Sequence, residues 1–331
     1  MTEGDLLLKA LICDHWGPYT QLKIADIDPP SAKPGEVIID IKAVGLNFFD
    51  TLIVEKKYQT QPELPFSPGG EVSGVISQVG DHVLHLTPGD RVMAYVGYNG
   101  AREQLAVQAG KVTPIPDNIS FEVAAGLTIT YGTSLHALRD RAKIRPGETL
   151  AVLGASGGVG QSAIEIGKVL GARVIACASS DEKLATCKEL GADELLNYSK
   201  ADLKTELKRL TDGKGADVIY DPVGGDMSEQ ALRATAWNGR FLVIGFASGT
   251  IPKIPLNLVL LKGCQIMGVF WGDHIEREPE KHQTNLSTLV HLCANGSILP
   301  RVYKIKPLNQ ATSALDEIAK RQVQGKIILS V

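Results

Sequence analysis

The chain has 331 residues, 44% hydrophobic and 21% charged, with 34 Lys and Arg against 37 Asp and Glu for a formal charge of −3. At ~150 residues per domain, that is the composition of a globular protein of two domains. It holds no cationic excess for a nucleic-acid backbone or an anionic membrane, and no apolar run nears the ~20 residues of a membrane helix, so neither is an expected partner.

The amino terminus, M-T-E-G-D-L-L-L-K, is acidic and its apolar stretch is broken by Lys9, so it does not read as a secretory signal. Up to about residue 120, short apolar stretches are split by turn signals such as Pro34-Gly35, Pro68-Gly69-Gly70 and Pro88-Gly89-Asp90. Val37, Ile39, Ile41 and Ala43 alternate with Ile38, Asp40 and Lys42, the period of a strand. This half predicts a β-rich barrel or rolled sheet. His82 and His85, beside Gly80-Asp81, read as surface residues rather than ligands.

From about residue 145 the rhythm is strand, helix, strand, helix. T-L-A-V-L-G (149–154) has the continuous apolar run of a buried parallel strand, and a helical pattern carrying Val159, Ile164, Ile166 and Leu170 follows. R-V-I-A-C-A-S is a strand, D-E-K-L-A-T-C-K-E-L-G-A a helix, D-E-L-L-N-Y a strand and A-D-L-K-T-E-L-K-R-L-T-D-G a helix. D-V-I-Y-D-P-V-G is a strand, M-S-E-Q-A-L-R-A-T-A-W-N-G (227–239) a helix and R-F-L-V-I-G-F a strand. The alternation predicts an α/β fold with a doubly wound parallel sheet. Two more helical patterns lead to a terminal strand in K-I-I-L-S-V. Five scattered cysteines without a C-x-x-C (Cys13, Cys177, Cys187, Cys264, Cys293) read as free thiols in a reducing compartment, hence a cytoplasmic protein.

The sharpest signal is G-A-S-G-G-V-G, between the first parallel strand and its helix. Gly154 permits the tight turn, Gly157 and Gly158 let backbone approach a pyrophosphate, and Gly160 lets helix pack on strand. With Ser156 and Val159 these residues place free N–H groups and a helix N-terminus against phosphates. No Gly-Lys-Ser/Thr follows, which excludes an ATP-type P-loop. The second strand ends Ala178-Ser179-Ser180 without the carboxylate that holds an NAD ribose, so NADPH is favoured. Asp181 and Glu182 read as first-turn residues, with Ser179 and Glu182 spaced as a capping box. Lys183 and the small hydroxyls are placed to receive a phosphate.

In order, G-L-N-F-F-D (45–50), P-G-G-E-V-S-G (68–74), P-G-D-R-V (88–92), T-I-T-Y-G-T-S-L-H-A-L (128–138), the glycine loop, D-P-V-G-G (221–225), G-R-F-L-V-I-G-F-A (239–247) and Q-G-K-I-I-L span the chain. The set resembles the medium-chain dehydrogenase/reductase superfamily, and within it the zinc-independent, zeta-crystallin-like quinone reductases. The resemblance implies a GroES-like catalytic domain over 1–128, a Rossmann NADP-binding domain over 129–267, and a return segment over 268–331 completing the first. It also implies a cleft between domains, NADPH and a homodimer paired through the Rossmann sheets.

Zinc members of the superfamily carry Cys where this chain has Asn47 and His where it has Gly70, while Asp50 and Glu71 persist. Asn and Gly cannot build a soft tetrahedral zinc site, so no metal is expected there. By the resemblance, Asn47, Asp50 and Tyr58 line the substrate side, Tyr58 donating to the substrate oxygen. Asp50 reads more as a structural acceptor than as a base, and Glu71 as an orienting group. Thr133 matches the threonine facing the nicotinamide. Lys183, Tyr198 and Arg321 match positions near the 2′-phosphate. Gly245, Phe246 and Ala247 end a strand at the ligand edge of the sheet, and Phe270 and Trp271 match positions near the carboxamide. The implied activity is hydride delivery from NADPH to a quinone. The rival is reduction of activated C=C bonds in enals, enones or enoyl thioesters. A non-catalytic crystallin-like or RNA-binding role is the remote alternative.

Overall fold

The computed structural model describes residues 7–331, so most of the amino-terminal stretch read above lies outside the described residues. The chain forms two compact units, one running to Ile129 and joined by Val290–Ala294 and Leu299–Val331, the other Thr130–Leu289 with Asn295–Ile298.

The first unit is a strand-rich sheet. β1 (Leu8–Ile12) and β2 (Lys23–Ile27) make an antiparallel pair. β3 (Glu36–Leu46) is the spine: its first half pairs with β6, its second half with the terminal strand, and its other edge with β4 along its length. α1 (Phe48–Val54) follows, then β4 (Glu71–Val79), β5 (Arg91–Tyr95), β6 (Gln104–Gln108), β7 (Val112–Pro114) and α2 (Phe121–Ala125). Val37, Ile39 and Ile41 share one core as the period of two predicts, but the register shifts after Ile41, so Val44 continues that core and Ala43 is buried instead with Ala125 and Ile328. Ile38, on the opposite face, is buried as well. His82 and His85 are exposed.

α3 (Thr128–Leu135) crosses into the second unit and continues as a π-helical turn, His136–Arg141. Then come β8 (Thr149–Leu153), α4 (Gly158–Val169), β9 (Arg173–Ala178), α5 (Asp181–Glu189), β10 (Glu194–Asn197), α6 (Leu203–Leu210), β11 (Ala216–Asp221), α7 (Asp226–Arg233), β12 (Thr235–Val243), α8 (Leu256–Lys262), β13 (Gln265–Gly268), α9 (Trp271–Arg277) and α10 (Pro279–Ala294). The six strands are parallel, in the order β10-β9-β8-β11-β12-β13. Counted within the sheet this is 3-2-1-4-5-6, the doubly wound order, whose switch point lies between β8 and β11. Leu153, Ile175, Cys177, Leu207, Ile219 and Leu232 share the core on one side of it.

β14 (Val302–Pro307), α11 (Ala311–Ala319) and β15 (Lys326–Ser330) return to the first sheet, β15 pairing with β3. Two expectations need correction. The helix over 227–239 stops at Arg233, because Thr235 already pairs with Ala216 and the chain then bulges before Arg240 pairs with Val218. Residues 268–289, expected in the first domain, sort with the second, where Trp271 packs on Gly132 and His274 stacks on His136. All five cysteines are free. Among the described residues no helix is long and apolar enough to cross a membrane.

Candidate functional site

The glycine loop leaves β8 at the switch point of the parallel sheet. Gly154 has φ 57°, which an L side chain rarely adopts. A Cβ on Gly160 would lie 2.4 Å from the Gly154 carbonyl oxygen and 2.7 Å from Ala155 Cα, so this position answers to helix–strand packing. Gly157 differs. A Cβ there would meet only the Gly154 oxygen, at 3.5 Å, so the fold itself does not require glycine. Gly157 caps α4 without a side-chain hydrogen bond, leaving the first amides of Gly158, Val159 and Gly160 to an external acceptor. Ser156 is buried, and its carbonyl is held by Gln161 Nε2 at 2.9 Å.

At the end of β9, Ser180 rather than Ser179 caps α5, accepting from the Lys183 amide at 3.3 Å, so the expected Ser179–Glu182 box is corrected. Lys183 Nζ lies 3.3 Å from Ser179 Oγ. Asp181 is turned to Lys200 and to Asn197 Nδ2, and the Lys200 contact holds its carboxyl below the usual range. Tyr198 follows β10, its amide bonded to the Ala178 carbonyl at 3.1 Å and its ring packed on the core. Gly245, Phe246 and Ala247 lie just past β12, the Ala247 amide bonding the Pro222 carbonyl at 3.0 Å beside the end of β11. Thr133 is buried within α3. Trp271 is buried and lies across α3, where a Cβ on Gly132 would come within 2.8 Å of its ring, whereas Phe270 is exposed.

The first unit holds a buried polar centre. Asp50 is fully buried: Oδ2 accepts from the Asn47 amide and Oδ1 from the Gly69 amide, both at 2.8 Å. Burial pushes its carboxyl up to about 7 against the pull of those two amides. Asn47 Nδ2 donates to Glu71 Oε1 at 3.0 Å and to the Gly45 carbonyl at 3.3 Å. Lys326 was not legible as part of this group. Its ammonium donates to Glu71 Oε1 at 2.6 Å, Asn47 Oδ1 at 2.8 Å and the Leu46 carbonyl at 2.9 Å. Glu71 Oε2 accepts from the Ile129 amide at 2.8 Å. The pair is closed on all sides, and in such settings removing one partner costs about 3–5 kcal/mol. The signal available was a lone lysine opening the apolar strand K-I-I-L.

Tyr58 follows α1 and stacks on Phe49 with centroids 5.4 Å apart. Burial raises its phenol above the ordinary value, and Asp50 adds to the rise, so it is a neutral donor near pH 7. Arg321 sits exposed just past α11 in the first unit, with φ 57°. Lys183 and Tyr198 are in the second, so no single unit gathers the three.

A rolled β unit together with a 3-2-1-4-5-6 parallel sheet carrying a glycine loop defines the dehydrogenase/reductase architecture of a GroES-like and a Rossmann-type unit. Family models agree: residues 33–117 match the alcohol dehydrogenase GroES-like domain and 158–288 the zinc-binding dehydrogenase model. The chain is 36% identical to quinone oxidoreductase-like protein 2 of Bos taurus, over 94% of this chain and 89% of that one. It is 34% identical to a quinone oxidoreductase of Pseudomonas aeruginosa, over 95% and 97%. The Escherichia coli quinone oxidoreductase, solved as a complex with NADPH, superposes with a TM-score of 0.90 at 29% identity, covering 98% of this chain and 99% of that one. The chain belongs to the quinone oxidoreductase family of the medium-chain dehydrogenase/reductase superfamily.

The name of the second family model implies zinc, and the residues at the superfamily's zinc position do not fit one. Asn47 and Glu71 are bound to an ammonium there. A Cβ on Gly70 would lie 2.5 Å from the Phe49 ring and 3.0 Å from the Gly97 carbonyl oxygen, so a ligating side chain there requires the ring to move.

Proposed function

We propose that the chain is an NADPH-dependent oxidoreductase that passes hydride to quinones without a metal. The observation that carries this reading is the glycine loop at the switch point, where Gly157 and the uncapped start of α4 serve a diphosphate and nothing in the fold itself. NADPH is preferred to NADH because no carboxylate closes β9 and the nearest one, Asp181, is engaged by Lys200 and Asn197. Ser179, Ser180 and Lys183 then face the 2′-phosphate, with Tyr198 and Arg321 as further contacts. Gly245, Phe246, Ala247, Phe270, Trp271 and Thr133 serve the nicotinamide end.

When bound, the dinucleotide supplies the hydride. The chain's own residues bind it, orient it and exclude water. Tyr58, whose hydroxyl has no hydrogen-bond partner among the described residues, offers a neutral donor to an acceptor oxygen, and such donors stabilise developing negative charge in a dry site. Asn47, Asp50, Glu71 and Lys326 fix the segment around α1 that precedes Tyr58. The free thiols suit a reducing compartment, and cytoplasm is the proposed location. A homodimer through the parallel sheets is part of the same proposal.

The test is NADPH oxidation with benzoquinone, hexenal, a simple enone and a crotonyl thioester, with and without a chelator. The expected order places quinone first in kcat/KM, unchanged by chelation. A higher kcat/KM on the enal, enone or thioester moves the assignment to activated C=C reduction. No turnover on any of the four, with salt-dependent RNA binding, overturns it.

A further inference from the structure

The second unit carries a cluster that the dinucleotide reading leaves unused. His136 and Asp140 share one face of the π-helical turn, with His136 Nδ1 3.1 Å from Asp140 Oδ2. Such turns are rare and are frequently found at functional sites. His274 of α9 stacks on His136, ring centroids 3.8 Å apart and planes 14° from parallel. The side chains of all three are more than nine-tenths buried. His274 Nδ1 lies 2.7 Å from Glu278 Oε2, so that nitrogen carries the proton and Nε2 is left as a lone pair. That Nε2 is buried with no partner among the described residues. A carboxylate holding one imidazole nitrogen while the other stays open is how metal-ligating histidines are set.

We propose that His136, Asp140 and His274 form a binding site for a late first-row divalent cation, best met by zinc. Their ligand atoms lie within 4.8 Å of one another. Tetrahedral zinc with bonds of about 2.0–2.1 Å needs ligand atoms about 3.3 Å apart. Side-chain rotation closes that difference. It unstacks the two rings and exchanges the hydrogen bonds that Asp140 Oδ2 accepts from His136 and from Asn285 Nδ2, the latter at 2.9 Å, for the metal. Two imidazoles and one carboxylate suit zinc, nickel or copper rather than calcium or magnesium. His282 Nδ1, also buried and unpartnered, lies on the ring next to His274 with centroids 6.4 Å apart. A water or this ring completes the set.

The surrounding charge sets the strength. Asp140 and Glu278 are countered by Arg139, with Nε 3.3 Å from Asp140 Oδ1, and by Lys281, with Nζ 3.9 Å from Asp140. No negative excess awaits a dication, which weakens the site. Burial lowers His274 below the usual imidazole value, so it enters as the neutral ring a metal needs. Bound zinc would tie α9, which begins at the Trp271 packed on Gly132, to the π turn. Its effect is to stiffen this unit, with no part in hydride transfer.

The test uses the full chain freed of metal by chelation. Zinc is titrated by calorimetry, and cobalt, as an optical stand-in, by its visible d–d absorption. One ion per chain, a raised thermal midpoint with zinc, and a loss of about tenfold or more in affinity in His274→Gln are expected. Glu278→Gln, which leaves the three ligands in place, should weaken binding less and guards against a folding failure. No saturable uptake overturns the proposal. Uptake unchanged in both variants does so too, because it places the ion elsewhere, for instance at the exposed His82 and His85. NADPH uptake measured on the same samples separates this outcome from failure of the dinucleotide reading.

Discussion

Asp50 is the residue whose environment makes the sharpest demand. Its folded value of about 7 stands above the ordinary 3.8, because burial opposes the charged form. A carboxyl raised on folding contributes stability fully below pH 3.8, and that contribution is lost as pH rises through 7. At 1.36 kcal/mol per pKa unit the loss is on the order of 4 kcal/mol. Asp50→Asn removes the titration and adds a constant cost, since one of the amides of Asn47 and Gly69 loses its acceptor. Urea unfolding from pH 4 to pH 8 should therefore show the variant's deficit shrinking as pH rises, and a pH-independent deficit would place the Asp50 pKa near its ordinary value. Lys183 makes a second residue-scale demand. Hydrogen bonds to charged groups are worth about 1.5–3 kcal/mol, so Lys183→Ala should raise the Kd for NADPH by tenfold or more and leave that for NADH unchanged. Equal losses for the two coenzymes, measured by fluorescence titration, would remove Lys183 from the phosphate.

At the scale of elements, the parallel sheet was readable because each of its features is local. An apolar run, a glycine turn and a helical stripe identify β8 and α4 from about twenty consecutive residues. Gly160 was legible for the same reason, since its constraint comes from Gly154 and Ala155 nearby in the chain. What escaped was non-local. The helix over 227–239 was overextended because Thr235 is claimed by Ala216, a pairing partner in another strand that helical spacing does not reveal. Ser180 caps α5 where spacing had favoured Ser179, a one-residue difference that backbone geometry alone decides. Lys326 joins Glu71 and Asn47 only after β15 is laid against β3, across most of the chain. The histidines of the π-helical turn and of α9 meet in the same way, through folding of the second unit rather than through any spacing in the sequence.

At the scale of the molecule, the parallel sheet ends in an unprotected strand. Among the described residues β13 pairs only with β12, and three of its four residues are exposed. Beside it, α8 exposes Leu256, Leu260 and Leu261, and the bulge before Arg240 exposes Trp237, with Leu260 79% and Trp237 71% accessible. An open edge next to such apolar side chains invites pairing with another chain, and a contiguous apolar patch on a protein surface marks an interaction site. A two-fold axis at β13 would satisfy both, joining two six-stranded sheets antiparallel into one of twelve and covering the leucines with their own copies. The proposed homodimer therefore makes a definite demand on α8. Leu260→Glu together with Leu261→Glu places four buried, unpaired carboxylates across the axis. Sedimentation should give twice the chain mass for the wild type and the single-chain mass for the double variant. NADPH binding should persist in the variant, because α8 packs on β12 and β11 stands between β12 and the strand that leads into the glycine loop. A variant that sediments as the wild type does would move the dimer contact off this edge, and a monomeric wild type would remove the dimer altogether.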